Sequence, residues 1–206
     1  VEALVLHRAH VEVTGGNNRV IDTEQVSAAG TISGNITITG LTTGVRMGCN
    51  NGKIVFAGNI VQTGSSQKLL FAVNGTVNSP SITVLNSINN NGGDVQVVNS
   101  GNTNLPSYLV ALNGATNAGI GNMLITANGT LRLDGNLPVN GNLQVGQSFG
   151  NAATSPAADW AIVNLNGNNL TADALNGYPN SGGTVGAITL RRITNSAAST
   201  TSILSI

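Results

Sequence analysis

Charged side chains are scarce in this 206-residue chain, making up 8% of it against about 25% in an ordinary soluble domain. Eight basic and eight acidic residues cancel. There is thus no Lys/Arg cluster of the kind that nucleic acid or an anionic membrane surface needs, and neither is expected as a partner. Aromatics are scarcer still, with one Trp, two Tyr and three Phe. A single cysteine, Cys49, excludes an intramolecular disulfide framework and leaves a thiolate metal site without a second thiolate. It is expected as a small buried hydrophobe. No run approaches the roughly 18 apolar residues of a membrane-spanning helix, so membrane insertion is not expected. No charged segment followed by an apolar one opens the chain either. It begins at Val1 rather than Met, as a processed chain or a fragment would.

Amide and hydroxyl groups stand in for the missing charge. The 30 asparagines and 27 glycines, with abundant Ser and Thr, are a composition of turns and strands, and helix formers are few. In residues 1–13, Val1, Ala3, Val5, Ala9, Val11 and Val13 share one parity while Glu2, Arg8, His10 and Glu12 share the other. This predicts one long amphipathic strand. Six of the sixteen charges fall at Glu2, Arg8, Glu12, Arg19, Asp22 and Glu24, so residues 1–29 are expected to form an N-terminal strand and cap.

From residue 30 to 146 short aliphatic runs follow Gly and Asn. Examples are Gly34-Asn35-Ile36-Thr37-Ile38, Gly58-Asn59-Ile60, Gly129-Thr130-Leu131-Arg132-Leu133, Gly135-Asn136-Leu137 and Gly141-Asn142-Leu143-Gln144-Val145. Each places apolar residues at alternate positions just after a turn-forming residue, which predicts short strands joined by corners. Asn-Gly pairs at 51–52, 74–75, 91–92, 113–114, 128–129, 140–141, 166–167 and 176–177 mark further corners at irregular intervals. Residues 147–206 read as a loop-rich C-terminal β region around Trp160–Leu165, ending in strands at 187–193 and 202–206. Short strands suit either a parallel β-helix or an antiparallel sandwich or jelly roll. Sandwich cores lean on large aromatics, whereas uniform Ile, Leu and Val suit a narrow solenoid in which like residues stack. The expected fold is therefore all-β, a parallel β-helix (β-solenoid) with irregular coils, with the sandwich as the alternative.

In stretches such as Gly34-Asn35-Ile36-Thr37-Ile38-Thr39-Gly40 and Asn128-Gly129-Thr130-Leu131-Arg132-Leu133-Asp134-Gly135-Asn136-Leu137, the segment from about 30 to 145 resembles the passenger regions of bacterial autotransporters and filamentous-haemagglutinin-like exoproteins. That resemblance implies a right-handed parallel β-helix, a secreted or cell-surface location, and an adhesive or stalk-like role.

Catalytic groupings are sparse. After Glu24 the acids are Asp94, Asp134, Asp159 and Asp173, isolated in sequence, where a glycosidase needs two carboxyls about 5–10 Å apart. His7 and His10 are three apart and fall on opposite faces of a regular strand, so they cannot share a metal. Thr37-Ile38-Thr39 has the Thr-x-Thr form of ice-binding solenoids but occurs once, and reads as a solvated strand face. The sequons at Asn35, Asn74, Asn128 and Asn169 are as many as so much Asn, Ser and Thr produces by chance. Arg46, Lys53 and Lys68 read as solubility charges, and Arg191-Arg192 as a solvated face of a late strand.

The expectation is a structural or adhesive protein, secreted or at a cell surface, with no catalytic role, cofactor or metal. Its main partner is itself, as a homo-oligomer or filament, with host-surface or glycan ligands as further partners. Strand-edge association is expected through Val1, Ala3, Val5, Val11, Val13, Ile203 and Ile206. The alternative is a carbohydrate-binding or polysaccharide-cleaving β-helix, with Trp160, Tyr108 and Tyr178 as its aromatic platform.

Overall fold

A computed structural model of the chain describes residues 5–6, 11–14, 19–23, 29–39, 44–50, 53–63, 66–74, 81–99, 109–112, 118–126, 129–147, 160–177 and 190–206. They form strands and corners, with no helix among them. The chain winds as a three-sided coil. The first coil is β1 (Val5–Leu6), β2 (Val11–Thr14) and β3 (Arg19–Thr23), and the second is β4 (Ala29–Ile32), β5 (Ile36–Thr39) and β6 (Val45–Asn50). The third is β7 (Lys53–Phe56), β8 (Ile60–Thr63) and β9 (Leu69–Asn74). In the next two coils, β10 (Ser81–Val84) leads into β11 (Ile88–Asn99), and β12 (Leu109–Leu112) into β13 (Ala118–Thr126). Both β11 and β13 bend through a corner and serve two sides. Then come β14 (Gly129–Leu133), β15 (Leu137–Pro138) and β16 (Asn142–Gln147), followed by β17 (Trp160–Asn164), β18 (Leu170–Thr171) and β19 (Ala174–Gly177). The last rung adds β20 (Leu190–Thr194) and β21 (Leu204–Ser205).

Every described pairing is parallel, coil on coil. The first side is an eight-stranded sheet running β1-β4-β7-β10-β12-β14-β17-β20. A ten-stranded sheet covers the other two sides, and β15, β18 and β21 continue the second side toward the C-terminal end. The chain is a parallel β-solenoid, and the antiparallel sandwich is excluded. Residues 1–13 do not form one strand, because β1 belongs to the first side and β2 to the second.

Alternation along each strand builds the core. In β5, β7, β8 and β10 every second residue is buried, and parallel register stacks these residues into rows. Ile32, Phe56, Val84, Leu112 and Leu133 form one row, and Ile36, Ile60 and Ile88 another. Val45, Leu69, Val95, Met123 and Leu143 form a third. All are buried. Aliphatic residues suffice because each needs only to fill a slot between like neighbours above and below, so the core stays narrow and needs few rings.

Three corners show why Gly and Asn are needed. Asn91 and Gly92, within β11, have φ of +49° and +81°, a left-handed pair that only Gly and Asn adopt at little cost. Gly58 stacks against Gly34 so closely that a Cβ there would run into the Gly34 carbonyl. Asn166 and Gly167 repeat the left-handed pair, at +47° and +83°. Gly129 and Asn176–Gly177, read above as corners, lie in β14 and β19. An Asn-Gly pair therefore does not mark a corner by itself.

Candidate functional site

The coils are joined at their corners by amide ladders. At the corner between the first and second sides, the Asn59 N–H donates to Asn35 Oδ1 at 2.9 Å, and the Asn59 Oδ1 accepts from the Ser87 hydroxyl at 2.7 Å. Nearer the C-terminus, Asn169 N–H donates to Asn136 Oδ1 at 2.9 Å and Ile203 N–H to Asn169 Oδ1 at 3.0 Å. The next corner repeats the device. There Asp94 Oδ1 accepts from Asn122 N–H at 3.0 Å, and Asn122 Oδ1 accepts from Asn142 N–H at 2.9 Å. At each of these steps the donor lies one coil later than the acceptor. Just after the Asn35 and Asn169 positions the backbone bonds run the other way, with Ile36 N–H to Asn59 O at 2.8 Å and Leu170 N–H to Ile203 O at 2.9 Å. A corner residue bent out of the sheet would otherwise leave its N–H without a carbonyl, and the Asx oxygen supplies one.

The Asn136–Asn169–Ile203 ladder ends in a residue with no side-chain acceptor, and the core rows end there as well. Leu143 is 0% exposed, whereas Leu175, in register with it on β19, is 42% exposed. Ile193 and Leu204 follow buried Val163 and Leu170 in register and are only partly covered. Ile203 and Ile206 flank them at 53% and 66% exposure. Among the described residues, nothing pairs with the outer edges of β19, β20 and β21. Among the described residues, this rung therefore carries exposed apolar side chains beside strand edges that have no described neighbour. Charge tempers it, for Arg192 is exposed, and Arg191 holds the register position that buried Ala161 occupies one coil earlier.

The first coil also has an unpaired outer edge among the described residues. Val5 stands opposite Thr31, Val11 opposite buried Ile36, and Val13 opposite buried Ile38. Val1 and Ala3 lie outside the described residues, as do His7, His10, Tyr108, Asp159 and Tyr178. Trp160 opens β17. The three threonines Thr14, Thr39 and Thr63 stand in register on neighbouring strands, a file invisible along the sequence.

Asp134 takes a paired contact from Arg132, with Nε and Nη2 each 2.6 Å from a carboxylate oxygen, and a further bond from Asn166 Nδ2 at 3.1 Å. The hydrogen bond to Asp134, and secondarily its charge, raises the Arg132 pKa against the opposing effect of burial. Asp94 and exposed Asp173 share a corner, but the register Asp94–Asn122–Asn142–Ala174 separates them by three rungs. At about 4.8 Å per rung that is about 14 Å, beyond the spacing of a glycosidase pair. Among the described residues no three of His, Cys, Asp and Glu group as metal ligands. Compared with known proteins, the chain matches no family model, no curated protein and no solved structure.

Proposed function

We propose that this chain is a structural or adhesive element of a secreted or cell-surface assembly, acting by shape and strand-edge association rather than by catalysis. The observation that carries the reading is that, among the described residues, a row buried through Leu143 emerges at Leu175 beside the unpaired edges of β19, β20 and β21. Free edges of a parallel sheet present unpaired N–H and C=O groups beside apolar surface, the usual template for adding another strand. The polar, nearly uncharged exterior and the resemblance of residues 30–145 to exoprotein passengers support the location.

Electron microscopy of the purified chain tests the reading. It predicts particles joined at their ends, lengthening with protein concentration. Single compact particles at every concentration would overturn it.

A further inference from the structure

We infer that the core amides of Gln62 and Asn90 set the amide ladder on the surface of the same corner, so that the two act as one coupled network from the third coil to the sixth. The inference goes beyond the association proposed above and does not depend on it. Gln62 and Asn90 are positioning residues, acting through the carbonyls of Gln67 and Asp94.

Three observations carry it. First, the pair is a polar island in an apolar core, where Gln62 and Asn90 are 3% and 1% exposed. Each comes one residue after the Val61–Asn89 register pair, and Gln62 stands opposite buried Ile38. Gln62 Nε2 donates to Gln67 O at 2.9 Å and to Asn90 O at 3.3 Å. Asn90 Nδ2 donates to Gln67 O at 3.1 Å and to Asp94 O at 2.9 Å. None of Gln67, Asn90 and Asp94 has a described register partner, so the core amides supply the donors that the sheet does not.

Second, the orientation of the Asn90 amide is fixed. Its Oδ1 is buried with no hydrogen-bond partner, a costly arrangement. Turning the amide over would set that oxygen against the carbonyl oxygens of Gln67 and Asp94, so the two Nδ2 bonds decide the orientation. Gln67 O accepts from both side chains, which makes them one unit rather than two independent bonds.

Third, the clamped residue heads the surface ladder. The Asp94 carbonyl accepts from Asn90, while its carboxylate Oδ1 accepts from both the N–H and the Nδ2 of Asn122, at 3.0 and 2.9 Å. Holding Nδ2 on Asp94 leaves Asn122 Oδ1 turned to the sixth coil, where it accepts from Asn142 N–H at 2.9 Å. Gln62, Gln67, Asn90, Asp94, Asn122 and Asn142 thus form a continuous line from core to surface, and displacing the Asp94 backbone loosens every bond beyond it.

Amide hydrogen exchange of the full chain, followed by NMR, tests the inference. Asn90→Leu and Gln62→Met each remove the core donors with little change in volume, and far-UV circular dichroism confirms that each form folds. In either variant, exchange of the Asn122 and Asn142 N–H groups should accelerate by about tenfold or more, while the Ile203 N–H on the Asn169 ladder keeps its wild-type rate. Acceleration confined to residues 62–94 would overturn the coupling. Equal acceleration at Ile203 would overturn it as well, because the loss is then global. Asp94→Asn keeps the accepting oxygen and should leave Asn142 at its wild-type rate, whereas Asp94→Ala should speed it. Should neither core variant fold, the Asp94 pair still decides, since an Asp94→Ala form with wild-type exchange at Asn142 defeats the inference.

Discussion

Leu143 and Leu175 occupy the same position on successive strands of one row, yet the first is sealed and the second is 42% exposed. Their side chains are identical and their strands pair in register. What differs is that, among the described residues, Leu143 has a strand on each side and Leu175 has one. Burial in a solenoid comes from the neighbours above and below, so the same substitution should have unequal effects along one row. Leu143→Ala is expected to destabilise the chain by about 2–5 kcal/mol, and Leu175→Ala by less than about 1 kcal/mol. Urea unfolding of the two variants checks the difference; equal losses would contradict the stacked-row account.

Asn169 tests the ladder. Asn169→Ala removes the acceptor for the Ile203 N–H and should lower stability by about 0.5–1 kcal/mol, since water reaches this corner and offsets part of the loss. Asn169→Asp keeps the oxygen and should stay within about 0.5 kcal/mol of wild type, as Asp94 already fills an equivalent place. A costly Asp variant beside a harmless Ala variant would show that the oxygen is not what matters.

Gly58 is required by contact with the coil before it. Gly58→Ala drives a Cβ into the Gly34 carbonyl, and the coils must part to admit it, at a cost of about 1–3 kcal/mol. The same unfolding experiment reads the loss, and a Gly58→Ala variant as stable as wild type would contradict the close approach.

Much of this architecture was legible in the sequence. Runs such as Gly34-Asn35-Ile36-Thr37-Ile38 place Asn35 at a corner, Ile36 and Ile38 in the core and Thr37 half-exposed, as alternation requires. The sequons at Asn35 and Asn169 are by-products of this pattern, for ladder Asn, core aliphatic and outward Thr spell Asn-x-Thr. The ladder role of these asparagines was not legible, because the partner lies a whole coil away and coil length varies. Asn35 bonds Asn59, whereas Asn136 bonds Asn169. The break between β1 and β2 was hidden for a similar reason, since parity continues across a corner without marking it. The open rung depends on which row each leucine joins, and only register decides that.

The most direct measurement of the central claim is sedimentation velocity of the wild-type chain beside Leu175→Arg over a concentration series. The account predicts a wild-type sedimentation coefficient that climbs with concentration and a variant that remains monomeric throughout. Identical, concentration-independent monomers would contradict it.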